Sequence, residues 1–331
     1  MQLKYFTSNL TIQIMKKSIT TSLFLCLISL FSSCSSDDNT TTTPVTETGK
    51  ILFEASVGDN SHLFTMNIDG SSETQITNYT SAGGVYTGNA SWFPNTSKIV
   101  FITGKDTDGG SGIYTMNSDG TNITRVIHTF IGEGEQNPKI SPNGSKILFE
   151  AKIGVNSNIY VMNIDGTNET QLTNYTSATG TYTGDASWSP DGSKIVFITG
   201  KDTDGGSGIY TMNSDGTNVT RIIHNFIGNG EQSPKFSPNG NKILFESLIG
   251  INSHIYTMNT DGSNEIQLTN FTSGTGVYTG DASWSPDGSK IVFITGKDTD
   301  GGSGVYTMNS DGTNVTRINH NARDEENPTW K

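Results

Sequence analysis

The sequence predicts an all-β fold, a six-bladed β-propeller built from four-stranded blades. Three observations support this prediction: the composition, a repeat that occurs six times, and a C-terminal segment that completes the first repeat. The 331 residues include 38 glycines, and only 16% of them are charged. Such a composition favours short strands joined by tight turns over helices, which need more Leu, Ala, Glu and Lys.

A string of Lys, Ile, an aliphatic residue and Phe marks each repeat. A large apolar residue precedes five of the strings, a sixth such residue, Trp330, lies at the C-terminus, and a Met-Asn-x-Asp-Gly segment follows every string. The repeat unit is a pair of unlike 48-residue modules, and this pair occurs three times. Modules of this length in sixfold repetition are typical of propeller blades. The six strings begin at Lys50, Lys98, Lys146, Lys194, Lys242 and Lys290.

Each module predicts four strands. In the second module we place them at residues 91–94, 99–103, 113–117 and 122–127. Ile99 and Val100 lie next to each other in the second of these strands, so both faces of the predicted sheet are apolar. Each sheet is therefore expected to pack between two neighbours. Asp-Gly pairs between the strands supply the positive φ angles that tight turns require.

The two ends of the repeat region complement each other. The string at Lys50 has no preceding strand, whereas residues 326–331 supply such a strand with no module after it. Six first strands match six second strands only if the C-terminus joins the first blade. This closure leaves no open sheet edge at the junction. A linear solenoid is the alternative, and it requires distinct caps at both ends.

These strings carry a family resemblance. Ser-Pro-Asp-Gly-Ser-Lys-Ile-Val-Phe at 189–197 and Ile-Tyr-Thr-Met-Asn-Ser-Asp-Gly at 209–216 resemble the TolB-type, WD-like propeller repeats. The resemblance covers residues 49–331 and implies the fold. TolB carries a further N-terminal domain, and related propellers precede serine-peptidase domains. Neither addition is expected here, so the resemblance leaves the role of this chain open.

The N-terminal region predicts export and lipid attachment. Residues 1–33 contain Lys16-Lys17 followed by an apolar run of about nine residues, too short to span a bilayer and typical of a signal peptide. Translation from Met15 is an alternative start, because Met15-Lys16-Lys17 is a more usual opening for such a segment. The segment ending at Cys34 resembles a bacterial lipoprotein cleavage site, and an ordinary cleaved signal is the alternative. Residues 34–49 then form a lipidated cysteine and a flexible tether, before a propeller at 50–331.

The net charge and the sorting signals limit the classes of partner and the location that the sequence predicts. The formal net charge is −12, without a cluster of Lys and Arg, so nucleic acid is not an expected ligand. Membrane contact is expected only through the lipid, because an acidic surface is repelled by anionic lipids. Ser35 after the cysteine resembles outer-membrane sorting, which implies an outer-membrane lipoprotein of the cell envelope, periplasmic or surface-exposed. The propeller is expected to be monomeric.

Candidate binding residues fall in the longer connections, which the strand order places on one face. Rigid aromatic side chains there suit protein anchors or sugar stacking, and they equally suit the filling of blade junctions. Two aspartates are expected at the mouth of the channel, either as ligand-binding groups or as loop caps. The candidate binding residues are Tyr86, Tyr182, Tyr278, Asp185 and Asp281.

Metal and cofactor signals are weak, and no cofactor is expected. Aspartates spaced two residues apart resemble calcium loops, but the distal Glu is missing and ordinary turn composition accounts for them. Three histidines recur at 96-residue steps and are expected to pack loops, since they lie too far apart to share a metal. The aspartates are Asp106, Asp108, Asp202, Asp204, Asp298 and Asp300; the histidines are His128, His224 and His320.

The sequence lacks the nucleophile elbow, the His-Glu-x-x-His zinc motif and the phosphate loop. The favoured interpretation is a non-enzymatic binding or scaffold module that takes an envelope protein or a glycan through its long-loop face. The alternative is a polysaccharide-active hydrolase or lyase that uses carboxylates at the channel mouth, such as Asp185 and Asp281.

Overall fold

The computed structural model consists of six four-stranded antiparallel sheets. It describes residues 49–80, 84–104, 112–128, 133–176, 181–200, 208–223, 229–272, 276–296, 303–319 and 323–331. The described residues include no helix of the length and hydropathy needed to cross a membrane. The predicted signal peptide and nearly all of the tether lie outside the described residues.

The strands follow one another in a fixed pattern of three long strands and one short outer strand. In the first half of the chain they are β1 (Lys50–Val57), β2 (Asn60–Asn67), β3 (Thr74–Gln75), β4 (Thr87–Trp92), β5 (Lys98–Thr103), β6 (Gly112–Asn117), β7 (Thr124–Arg125), β8 (Glu133–Ile140), β9 (Lys146–Ile153), β10 (Asn156–Asn163), β11 (Thr170–Gln171) and β12 (Thr183–Trp188). In the second half they are β13 (Lys194–Thr199), β14 (Gly208–Asn213), β15 (Thr220–Arg221), β16 (Asn229–Phe236), β17 (Lys242–Ile249), β18 (Asn252–Asn259), β19 (Ile266–Gln267), β20 (Thr279–Trp284), β21 (Lys290–Thr295), β22 (Gly304–Asn309), β23 (Thr316–Arg317) and β24 (Glu325–Trp330).

The sheets are the six predicted blades. Blade 1 has the order β24-β1-β2-β3, and blades 2 to 6 each use four consecutive strands from β4 onwards. In blade 2 the first strand begins at Thr87 rather than at residue 91, because it continues through a bulge into the preceding loop. The fourth strand is only two residues long, since the chain leaves the sheet edge after Arg125.

The C-terminal strand closes the ring, as the sequence predicted. In blade 1, Trp330 lies opposite Ile51, and Thr329 lies opposite Leu52. The Lys331 amide continues this pairing by donating to the Lys50 carbonyl at 2.8 Å. The last residues of the chain therefore form the innermost strand of the first blade.

The core is divided among the junctions between neighbouring blades. Leu52 of blade 1 packs with Ile99 and Phe101 of blade 2, and the same arrangement recurs at each junction. At the closing junction, Val292 of blade 6 packs with Phe53 of blade 1. Both faces of every blade are apolar, which confirms the prediction that each sheet packs between two neighbours.

Two kinds of tight turn lie at the same end of the blades, here called the turn end. In the Ser-Pro-Asp-Gly turn, Asp191 accepts hydrogen bonds from the Ser189 hydroxyl at 2.6 Å and the Ser193 amide at 3.0 Å. In the Met-Asn-x-Asp-Gly turn, Asp215 accepts from the Thr217 amide at 3.0 Å. A positive φ at the following glycine completes each turn.

The opposite end, here called the loop end, differs between alternate blades. Blades 1, 3 and 5 connect their second and third strands by two-residue hairpins, such as Gly58-Asp59. Blades 2, 4 and 6 use longer connections there, such as the segment from Gly104 to β6. The pairing of unlike modules in the sequence therefore corresponds to alternating hairpins and loops around the ring.

Candidate functional site

A cavity lies on the axis of the propeller. Its volume is about 330 Å³, and the first strands of all six blades contribute to its lining. Prolines from four of the first turns form its rim, so the cavity opens at the turn end. These prolines are Pro142, Pro190, Pro238 and Pro286.

The wall of the axial cavity combines aromatic and polar side chains. Trp188, Trp284 and Trp330 contribute indole surface, and serines of the same strands lie between them. The Trp188 indole nitrogen donates to the Lys139 carbonyl at 3.2 Å. Within the described residues, the buried indole nitrogens of Trp284 and Trp330 have no hydrogen-bond acceptor.

Two lysines enter the axial cavity from the first strands of blades 3 and 5. Lys235 Nζ donates to the Ala282 carbonyl at 2.6 Å. Burial and the nearby Lys235 amine lower the pKa of Lys139 to about 8. Both lysines also line a deeper space of about 50 Å³, which continues the cavity along the axis.

A ring of left-handed residues surrounds the deeper part of the channel. One residue in each first strand has a φ between 48° and 53° and belongs to an irregular stretch of the strand. Short polar side chains tolerate this conformation, and the bulge turns the backbone towards the neighbouring blade. The six residues are Asn89, Asn137, Asp185, Ser233, Asp281 and Asn327.

The two predicted aspartates lie in this ring, inside the first strands rather than before them. Asp185 accepts hydrogen bonds from the Tyr182 hydroxyl at 2.9 Å and from the Ser233 amide of the next blade at 2.9 Å. Asp281 accepts from the Tyr278 hydroxyl at 3.0 Å and from the Asn327 amide at 3.1 Å. Each carboxylate therefore ties its own blade to the next one, using both oxygens.

The three predicted tyrosines lie at the loop end, where their rings are partly exposed and their hydroxyls point inward. Tyr86 donates to Glu54 at 3.2 Å, and Tyr182 donates to Glu150 at 3.3 Å. Burial and the neighbouring carboxyl groups raise the pKa of all three tyrosines well above the usual range. The hydroxyls of Tyr86 and Tyr182 thereby join neighbouring blades. Tyr86, Tyr182 and Tyr278 stay 44%, 43% and 46% exposed.

Three buried glutamates complete these blade junctions, and the sequence analysis did not identify them. Glu150 accepts hydrogen bonds from the Asn137 side chain at 3.2 Å and the Ala186 amide at 3.3 Å. Burial raises the pKa of each glutamate to about 8. The available signal was a carboxylate after an apolar strand, in Lys-Ile-Leu-Phe-Glu at Glu54, Glu150 and Glu246.

The glycine that precedes three of the left-handed residues, Asn89, Asp185 and Asp281, is required by this arrangement. A Cβ at Gly184 would overlap the Glu150 carboxylate and lie 2.6 Å from the Tyr182 hydroxyl. Gly280 stands in the same relation to Glu246 and Tyr278. The recurring Tyr-Thr-Gly string is therefore explained by the close approach of a buried carboxyl group.

Several predicted residues lie outside the described residues: the lipidation candidate Cys34, all six calcium candidates, His224 and His320. Of the recurring histidines, His128 is described. Its ring packs against Phe149 with a centroid distance of 5.7 Å, and its nitrogens face Glu135 and Glu169 at 3.6 and 3.3 Å. Among the described residues, no group of three His, Cys, Asp or Glu side chains is placed to hold a metal ion.

Comparison with known proteins identifies the family. The model of the TolB beta propeller domain matches residues 137–247 and 223–331, and the chain belongs to this family. No curated protein matches it in sequence.

Solved structures share the fold at low sequence identity. TolB from Acinetobacter baumannii is 20% identical, with a TM-score of 0.69 over 85% of this chain and 66% of its own. A protein assigned as TolB from Agrobacterium tumefaciens is 22% identical, with a TM-score of 0.62 over 82% of this chain and 89% of its own. Hydrazine synthase of Kuenenia stuttgartiensis is 15% identical, with a TM-score of 0.66 over 85% of this chain and 46% of its own. The chain thus spans slightly under two thirds of the Acinetobacter protein and under half of the hydrazine synthase chain.

Proposed function

We propose that this propeller is a non-enzymatic binding module that takes a segment of a partner protein into its axial cavity. The observation that carries the proposal is the lining of that cavity, which brings three indoles and two amines together from separate blades. Indole surface with a few polar groups is typical of protein-binding pockets. Membership of the TolB propeller family supports a protein partner, because TolB-like propellers typically bind proteins.

The carboxyl groups favour binding over catalysis. Asp185 and Asp281 use both oxygens in hydrogen bonds between blades. Glu54, Glu150 and Glu246 are at most 2% exposed, so a substrate in the channel does not reach them. A glycosidase needs two carboxyl groups that flank the substrate. These five carboxyl groups instead contribute to the junctions between blades.

Display in the cell envelope through a lipid on Cys34 belongs to the same proposal. It is supported by the resemblance of the segment before Cys34 to a lipoprotein cleavage site. Membrane fractionation of a Cys34→Ser variant tests this part, because the unlipidated protein is expected in the soluble fraction. A variant that stays with the membrane contradicts lipid anchoring at this residue.

Site-specific photocross-linking in the native host tests the binding face. A photoreactive residue replaces Ser187 in the axial cavity, and in a matched variant it replaces Tyr182 at the loop end of the same blade. We expect a single protein to be cross-linked from position 187 and not from position 182. Cross-linking from position 182 alone would show that the partner binds at the loop end, as the sequence analysis predicts. Absence of a protein adduct at both positions would contradict a protein-binding role.

A further inference from the structure

The charge of the axial cavity is opposite to that of the chain. Among the described residues that line it, Lys139 and Lys235 are the charged ones. Asp185 joins them only in the narrower space beyond, and both of its oxygens accept hydrogen bonds from Tyr182 and Ser233. The whole chain carries a formal net charge of −12. Since charged amines without an ion-pair partner are costly to keep in a partly buried cavity, this pair favours an anionic occupant.

The two amines come from equivalent positions in blades 3 and 5. The same position is serine in blades 2, 4 and 6, and it is Thr329 in blade 1. Within the described part of the chain, neither lysine forms an ion pair. Lys139 carries its charge at neutral pH, because its pKa is about 8. The positive charge therefore lies on one side of the axis and is available to a ligand.

The dimensions of the channel favour the end of a chain. The cavity of about 330 Å³ leads past the lysines into a space of only about 50 Å³. An extended segment that enters from the turn end must stop or reverse at the lysines. A chain that stops there presents either an amine or a carboxylate, and the lysines repel an amine.

A surface groove extends the axial cavity outwards between blades 4 and 5. This groove has a volume of about 480 Å³ and shares four residues with the cavity. It provides room for the residues that precede a bound chain end, in an extended conformation. The shared residues are Ser189, Pro190, Phe236 and Pro238.

We propose that the axial cavity captures the C-terminal carboxylate of an extended peptide segment, with the amines of Lys139 and Lys235 as its charge partners. The proposal rests on the proposed function, since it names the part of the partner that the cavity recognises. Charge-assisted hydrogen bonds hold the carboxylate, the indoles cover the last side chain, and the groove takes the preceding residues.

A peptide-selection experiment tests this proposal with the purified full-length chain. The probe is a library of N-terminally labelled hexapeptides with random final residues and free carboxylates, from which the tightest binder is chosen. That peptide is then resynthesised as the C-terminal amide. By fluorescence anisotropy, we expect the amide to bind at least tenfold more weakly than the free acid.

A lysine variant provides the second arm. We expect the Lys139→Met/Lys235→Met variant to bind acid and amide alike, whereas a Lys98→Met/Lys146→Met control at exposed strand starts keeps the preference. If the variant fails to fold, the acid and amide still test the wild-type protein directly.

The outcomes separate the two proposals. Equal binding of acid and amide to the wild type would overturn carboxylate capture and leave the binding module standing. A protein cross-linked from position 187, with no peptide of the library bound, would also overturn carboxylate capture and leave the binding module standing. Lysine-dependent binding of an oligouronate, with no peptide bound, would replace the peptide by an acidic glycan. Failure of all probes and of the cross-link would overturn both proposals.

Discussion

At the scale of single residues, the blade junctions depend on buried hydrogen bonds between unlike groups. A glutamate, a tyrosine and a left-handed polar residue meet at alternate junctions, as Glu150, Tyr182 and Asp185 do. Among the described residues the glutamate forms no ion pair, and its burial favours the neutral form and raises its pKa to about 8. These groups give the folded chain a dependence on pH above the acid range, in which the exposed turn aspartates with lowered pKa values, such as Asp191, titrate.

We expect the propeller to lose stability as the pH rises from 5 to 8. Each buried glutamate has a pKa of about 8 in the folded chain, against an ordinary value of 4.5. Between these values the folded state holds a proton that the unfolded state has released. The free energy of unfolding therefore falls by about 1.4 kcal/mol per group for each pH unit. Thermal melting at pH 5, 6, 7 and 8 measures this fall.

Matched variants test whether the buried glutamates cause the fall in stability between pH 5 and 8. The triple change Glu54→Gln, Glu150→Gln and Glu246→Gln is expected to flatten the profile, because Gln cannot release a proton. The exposed change Asp59→Asn is expected to leave it as in the wild type. A profile that stays steep in the triple variant would contradict the assignment.

Lys139 affects stability only above about pH 8. Its pKa is lowered to about 8 from an ordinary value of 10.5, so between these values the folded state has lost a proton that the unfolded state keeps, and stability rises with pH.

At the scale of elements, the turns determine how closely neighbouring blades approach. Gly70 ends the Met-Asn-x-Asp-Gly turn of blade 1 with a φ of 81°, and a Cβ there would overlap the Ile318 carbonyl of blade 6. Gly144 has a similar φ of 76° in another turn, but no heavy atom lies within 4 Å of its Cβ position. Both glycines supply the turn conformation, and only Gly70 also permits close contact between blades.

The pair Gly70→Ala and Gly144→Ala separates these two effects. Both variants incur the strain of a positive φ, about 1–2 kcal/mol. Gly70→Ala in addition forces backbone atoms apart, which costs about 1–3 kcal/mol more. Denaturant unfolding measures the free energies, and we expect the larger loss for Gly70→Ala. Equal losses would show that the blade contact at this turn carries no strain.

At the scale of the whole domain, the ring depends on the last residues of the chain. β24 lies beside β1, and its Thr329 carbonyl accepts the indole N–H of Trp92 at 3.3 Å. The Lys331 amine lies 5.2 Å from the centroid of the Trp92 ring and donates to the Phe93 carbonyl at 3.2 Å. The C-terminus therefore joins blade 1 to blade 2 as well as completing blade 1.

Deletion of residues 326–331 is expected to lower the melting temperature by roughly 10 °C or more. Loss of a partly buried tryptophan together with its strand pairing costs about 3–5 kcal/mol, and each kcal/mol corresponds to about 2–4 °C for a domain of this size. Differential scanning calorimetry measures the shift. Removal of residues 35–45 from the predicted tether serves as the control and leaves the melting temperature unchanged. An unaltered melting temperature in the C-terminal deletion would contradict closure of the ring by this strand.

The repeats made the fold predictable, but the structure corrected the ends of individual strands. The regular 48-residue spacing of the strings predicts six blades, and this prediction needs no information about contacts between distant residues. The first strand of blade 2 starts at Thr87, because the bulge at Asn89 keeps the chain paired beyond the apolar residues that mark the strand. Bulges disturb the alternation of side chains on which strand prediction depends.

By itself, the sequence determined the number of blades, the closing strand and the turns, because these depend on spacing and on local backbone preferences. Only the tertiary structure decided which distant side chains meet. Lys139 and Lys235 are 96 residues apart and share one cavity, while Glu150 and Tyr182 are joined by a hydrogen bond across two blades. Such contacts depend on how the twisted sheets stand around the axis, and a linear pattern of residues does not contain that geometry.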